Sequence, residues 1–233
     1  PNNPTGAVYS REVLERLVRV AEEKQLVLFS DEIYDRILYD GAEHIPVSTL
    51  CEGTLCATFG GLSKVYRACG LRTGWLYFSG KKTHAGDYVE AIELLASLRL
   101  CANVPGQWAV QTALGGVQSI YDLTADTGRL GRQRRALLRG IERSKYLDCV
   151  TPRGALYAFP GISERARGEL PDFDDARFAM ELLEREHVLL VPGSSFNVPY
   201  RNHFRLTLLP DDETISEVFV RIERQLDRMA QRS

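Results

Sequence analysis

No Cys-x-x-Cys pair occurs in this sequence, and its five cysteines (Cys51, Cys56, Cys69, Cys101, Cys149) are an odd number spread along the chain. That pattern argues against a disulfide framework and suits a reducing compartment. The four histidines are equally scattered, none at metal-ligand spacing from another, so no metal site is expected. An excess of one charge is missing too. The 29 Lys plus Arg face 31 Asp plus Glu, for a net charge of -2, which offers no broad basic field to nucleic acid or an acidic membrane. The longest apolar runs, such as Leu26-Val27-Leu28-Phe29, are far too short to span a bilayer, and no charged-then-apolar leader opens the chain. The expectation is a soluble, cytoplasmic protein whose partners are small molecules or protein, with no nucleic acid and no membrane.

What is present is ordinary globular material: 233 residues, 44% hydrophobic and 26% charged, enough for one large domain or two small ones. The opening string Pro1-Asn2-Asn3-Pro4-Thr5-Gly6 forms a turn, with neither an initiator Met nor a preceding element, and reads as the start of a fragment. Ser10 is a good N-cap for a helix that places Leu14, Leu17, Val18 and Ala21 on one face. It leads into residues 26–31, expected as a buried parallel strand with its C-terminal end at a site. Further strands are expected at 54–59, stopping at Gly60-Gly61, and at 73–78, in βαβ fashion. Helical patterning dominates 82–144, interrupted at 101–105 and 122–128. Then come a strand near 154–159, a helix from Asp174, strands at 188–191 and 203–208, and a capped terminal helix with Ile215, Val218, Ile222, Leu226 and Met229 on one stripe. The class is α/β.

The informative cluster is Gly61-Leu62-Ser63-Lys64, with Arg72 eight residues further on in Gly70-Leu71-Arg72-Thr73-Gly74-Trp75. Ser-Lys alone describes a surface lysine in a Gly-rich loop. At the mouth of a sheet, a lysine kept as the free amine forms a Schiff base with an aldehyde cofactor, and a nearby arginine holds a phosphate. Three motifs occur in order: Asn3-Pro4-Thr5-Gly6, Ser30-Asp31-Glu32-Ile33-Tyr34 and Gly61-Leu62-Ser63-Lys64-Val65-Tyr66-Arg67. Together they resemble class I aminotransferases of the pyridoxal 5'-phosphate (PLP) fold type I. The resemblance runs on through Pro152-Arg153-Gly154-Ala155-Leu156-Tyr157, Val191-Pro192-Gly193 and Phe204-Arg205-Leu206-Thr207. It implies the C-terminal part of that fold, its N-terminal portion absent. Residues 1–121 are then the remainder of a large PLP-binding domain with a mainly parallel sheet, and 122–233 a linker helix and a small C-terminal α/β domain.

The resemblance also implies roles. Lys64 matches the Schiff-base lysine that moves the proton at the substrate α-carbon. Asp31 matches the carboxylate that keeps the pyridine nitrogen protonated. Tyr34 and Asn3 match the pair that hydrogen-bonds the ring's phenolic oxygen. Arg72 matches the phosphate-holding arginine, and Ser63 adds a hydroxyl to the same phosphate. Many relatives carry Ser at the position before the lysine where this chain has Gly61, so one phosphate hydrogen bond is lost or passes to a backbone N–H. Arg205 matches the arginine that grips the substrate α-carboxylate through a planar fork. Trp75 and Tyr66 read as packing rather than site lining.

Residues 95–105 and Gln111-Thr112-Ala113-Leu114-Gly115-Gly116 are similar to bacterial glutamate–pyruvate (alanine) transaminases. This implies alanine and 2-oxoglutarate as substrates and a homodimer, with Arg99 the cation nearest the loop facing the partner's site. Two other activities stay open: a carbon–sulfur β-lyase on the same fold, and the effector-sensing half of an aminotransferase-like transcription regulator. The fragment alone is expected to bind PLP poorly and to be inactive, since the rest of the phosphate cup and the ring-stacking aromatic precede residue 1.

Overall fold

A computed structural model describes residues 1–83 and 85–232; His84 lies outside the described residues. The chain divides into two compact units, the first formed by Pro1, Val8–Leu38 and Glu43–Tyr121, the second by Asn2–Ala7, Tyr39–Ala42 and Asp122–Ser233.

The first unit opens with helix α1 (Arg11–Glu23), capped by Ser10, whose hydroxyl accepts from the Val13 N–H. Leu14, Val18 and Ala21 form its buried stripe. Leu17, expected on that face, is half exposed: three positions after Leu14 it falls at the stripe's edge. Leu14 and Val18 pack with Val47, Cys51 and Cys56 against Leu28, Ile45 and Leu50, each buried aliphatic chain contributing about 1.5–3 kcal/mol. This core seats the helix on a three-stranded sheet, β1 (Leu28–Asp31), β2 (Leu55–Gly61) and β3 (Gly74–Gly80), in that spatial order.

β1 and β2 are parallel, with Asp31 beside Phe59, whereas β2 and β3 are antiparallel, with Gly61 beside Gly74. The expected βαβ alternation is therefore absent between β2 and β3. The dozen residues joining them hold one 3-10 turn, Cys69–Leu71, and are too few for a helical crossover. β1 is also half exposed, with Phe29 61% accessible, not buried on both faces as its apolar run suggested. Helices α2 (Gly86–Leu98) and α3 (Val104–Gly115) follow, the latter capped by Asn103, with the expected break between them. A short helix, α4 (Ile120–Thr124), covers the start of the second expected interruption.

In the second unit α5 (Arg129–Arg143) packs on the terminal helix α7 (Asp212–Ala230). Gly140 makes this possible: a Cβ there would lie 2.2 Å from the Phe219 ring. Between them in sequence come β4 (Leu147–Asp148), β5 (Tyr157–Ala158), β6 (Gly161–Ile162), α6 (Asp175–Glu186), β7 (Val191–Pro192) and β8 (Phe204–Thr207). The strands form a pair, β4-β6, and a sheet ordered β5-β8-β7. All these ladders are antiparallel. Phe178 of α6 and Phe204 of β8, both fully buried, meet at 5.1 Å between ring centroids. Among the described residues no helix is long and apolar enough to cross a membrane.

Candidate active site

In the first unit the geometry starts from glycine. β2 ends in Gly60 and Gly61 because β3 and its flank approach too closely for side chains. A Cβ at Gly60 would sit 2.4 Å from the Trp75 indole nitrogen, and one at Gly61 would sit 3.0 Å from Ile33 Cδ1 and 3.1 Å from the Thr73 carbonyl. Glycine at 61 thus has a packing reason, and Trp75 covers Gly60. The Leu62 N–H donates to the Thr73 carbonyl (3.0 Å), and the chain then turns, with Ala68 N–H to Leu62 O at 3.0 Å and Arg67 N–H to Lys64 O at 3.1 Å. Leu62 and Val65 anchor the turn as buried residues. Ser63 and Lys64 between them remain half-buried.

Parallel β1 ends at the same edge as β2. The Glu32 N–H donates to the Phe59 carbonyl (3.0 Å), and Asp31 Oδ1 accepts from the Ile33 N–H (3.2 Å). Arg72 stands two residues before β3 enters from that edge, in the left-handed region at φ 47°, its Nη1 donating to the Cys69 carbonyl (2.9 Å). A carboxylate, an amine and a guanidinium thus leave one edge of one sheet. Among the described residues none of the three is in an ion pair. Tyr34 lies just past β1 and is buried.

Glu32, which sequence reasoning gave no task, braces this loop. Its Oε2 lies 3.0 Å from His44 Nε2, while Oε1 accepts from the Val47 N–H and the Ser30 hydroxyl, each at 3.0 Å. Burial alone raises the Glu32 pKa; the His44, Val47 and Ser30 contacts outweigh it and hold the carboxyl below its ordinary value. Burial pushes neighbouring Asp35 the other way, upward.

In the second unit Arg205 lies on β8, opposite Val191. Its Nη1 donates to Asn3 Oδ1 at 2.9 Å. Asn3 belongs to a turn that is fixed by its neighbours: Asn2 Oδ1 accepts from the Thr5 hydroxyl (2.8 Å), and the Gly6 carbonyl accepts from the N–H groups of Arg153 and Gly154, each at 2.9 Å. Gly6 is required there, since its φ is +69° and a Cβ would meet Pro152. The guanidinium carbon of Arg205 stands 4.5 Å over the Tyr157 ring and 5.1 Å over the Phe196 ring. Neither aromatic was singled out from sequence as a partner of Arg205. The available signal was that Tyr157 sits in the motif strand that pairs with β8. Arg99 is exposed at the C-terminal end of α2, and among the described residues no side-chain hydrogen bond or ion pair ties it to the other candidates.

Comparison with known proteins places these features in context. The family model described as aminotransferase class I and II matches residues 1–222. The chain is 49% identical over 218 residues to the glutamate-pyruvate aminotransferase AlaA of Escherichia coli (strain K12), covering 93% of this chain and 53% of that protein. It is 47% identical over 223 residues to the alanine aminotransferase of Mycobacterium tuberculosis (strain ATCC 25618 / H37Rv), covering 95% and 51%. Among solved structures, an aminotransferase from Escherichia coli superposes with a TM-score of 0.92 at 47% identity, over 97% of this chain and 55% of that one. Alanine aminotransferase from Pyrococcus furiosus gives 0.88 at 34% identity, over 98% and 56%. The chain spans about half the length of these relatives.

Proposed function

Because this chain belongs to the class I and II aminotransferase family, whose fold and PLP dependence it shares, we propose that it carries the lysine end of a transaminase site. The reaction exchanges an amino group between an amino acid and a 2-oxo acid. The pairs are alanine with pyruvate and glutamate with 2-oxoglutarate, in line with the names of the relatives at 47–49% identity. The observation that carries the reading is that the chain places Asp31, Lys64 and Arg72 at one end of one sheet, none of them neutralised by an ion pair among the described residues.

That donor set fits PLP, an anionic phosphate and a pyridine joined to an aldehyde. When bound, PLP supplies the aldehyde and an electron-withdrawing ring. Lys64 would hold it covalently, and its amine, freed when the substrate amino group takes its place, would move the proton at the substrate α-carbon. Asp31 would hold the proton on the ring nitrogen. Tyr34 and Asn3 would hydrogen-bond the phenolic oxygen, and Arg72 and Ser63 would hold the phosphate. Arg205 takes the substrate α-carboxylate on its planar fork, and Arg99 is assigned to the second carboxylate of glutamate. We extend the proposal to the domains, with 1–121 completing the cofactor-binding domain and 122–233 forming the linker helix and small domain, and to a cytoplasmic homodimer. The apolar side chains of Leu94, Leu95, Leu98 and Trp108, each more than 60% exposed on α2 and α3, support burial against a second copy.

The test is stoichiometric exchange. Alanine and 2-oxoglutarate should give equal amounts of pyruvate and glutamate in the PLP-loaded full-length protein, and Lys64→Ala should abolish this. Formation of pyruvate with ammonia from a thioether amino acid, without such exchange, would contradict it.

A further inference from the structure

Arg205 has an unusual set of neighbours for a cation. Among the described residues no carboxylate pairs with it. One hydrogen bond goes to the neutral amide oxygen of Asn3, and its charge lies over two aromatic faces, Tyr157 at 4.5 Å and Phe196 at 5.1 Å. The strand register explains the first ring. Tyr157 on β5 stands opposite Thr207 of β8; Arg205, two residues before Thr207, points to the same side and is the diagonal neighbour within reach of an aromatic ring. Phe196 ends the 3-10 turn Gly193–Phe196 and is steadied edge-on by buried Phe159, 5.9 Å away at 88°.

We propose that Tyr157 and Phe196 are positioning residues that hold the Arg205 guanidinium for a carboxylate ligand. Two geometries could stabilise the cation, and they compete. A carboxylate partner would stabilise the cation by occupying the N–H groups at the guanidinium's edge, the same groups a substrate carboxylate needs. A ring stabilises it through the face and leaves that edge open. With Asn3 taking one N–H, the remaining donors stay available and the plane of the fork is set in advance, which reduces the ordering cost on binding. This inference rests on the reading of Arg205 as the α-carboxylate grip.

The test measures equilibrium binding of propionate, a carboxylate with no amino group to react, to the PLP-loaded holoenzyme. Tyr157→Leu and Phe196→Leu should each raise the propionate Kd by about 3- to 10-fold while PLP affinity stays unchanged. Tyr157→Phe, which keeps the ring, should stay within about twofold of wild type. KM for alanine should rise more than kcat falls. If Tyr157→Leu does not fold, Phe196→Leu on its half-buried turn decides the matter alone. Wild-type propionate binding in the Leu variants, with binding weakened in Arg205→Lys, overturns the positioning role and leaves the grip intact. Wild-type binding in Arg205→Lys overturns the grip itself.

Discussion

Arg205 donates from Nη1 to Asn3 Oδ1 at 2.9 Å although 202 positions separate them in sequence. The contact holds a cation whose fork has no acidic partner among the described residues. Replacing it by lysine keeps the charge and removes the planar pair of donors. Arg205→Lys should therefore lower kcat/KM for every amino-acid substrate, by about 1.5–3 kcal/mol, with PLP still bound. A loss confined to dicarboxylic substrates would assign Arg205 to the side chain instead.

Asp31 and Tyr34 should separate in the same assay. With the cofactor seated, Asp31→Ala leaves a covered pyridinium without its counter-charge, a loss of about 3–5 kcal/mol. Tyr34→Phe removes a single hydrogen bond to a partly charged oxygen, about 1.5–3 kcal/mol. Equal losses in kcat/KM, or a nearly silent Asp31→Ala, would contradict the two roles.

Acid should act through Glu32. Because its folded-state pKa lies below the ordinary value of 4.5, its contribution to stability is complete above that value and fades as pH falls through the folded pKa. The stability gap between wild type and Glu32→Gln in urea unfolding should be present at neutral pH and close progressively below about pH 4.5. A gap that stays constant through the acid range would remove Glu32 from the account.

Arg134 tests the frame of the second unit. It is buried, its Nε donates to the Pro152 carbonyl at 2.8 Å, and both terminal nitrogens meet the Asp40 carboxylate. Asp40 is half exposed, so water compensates much of its loss, but the Pro152 carbonyl would be left buried without that donor. Arg134→Ala should cost about 1–3 kcal/mol, seen as a lower urea midpoint at unchanged m-value.

The sequence made some of this architecture readable and hid the rest for identifiable reasons. The cap at Ser10 is a local signal, and its side chain does accept from the backbone N–H three residues on, as do those of Asp174 and Asp211 at the starts of α6 and α7. The end of β2 was likewise readable, because Gly60 and Gly61 mark a close approach. Strand direction was not: β3 carries the same apolar pattern whether it runs parallel or antiparallel to β2, and only the short connection decides. β4 to β7 are two residues long and are defined by their partners, which no window of sequence contains. In the candidate site, motifs singled out Lys64, Asp31, Arg72 and Arg205 one at a time. That Asp31, Lys64 and Arg72 share a sheet edge follows from pairing over long sequence separations. The same holds for the Glu32–His44 contact and for the rings around Arg205.

The central claim is that Lys64 is the residue that binds PLP covalently, and chemical trapping tests it most directly. The PLP-loaded full-length protein is reduced with borohydride, digested and mapped by mass spectrometry. The pyridoxyl label should fall on the peptide containing Leu62-Ser63-Lys64 and be lost in Lys64→Ala. Label on Lys24, Lys81 or Lys82, or labelling that survives Lys64→Ala, would contradict the account.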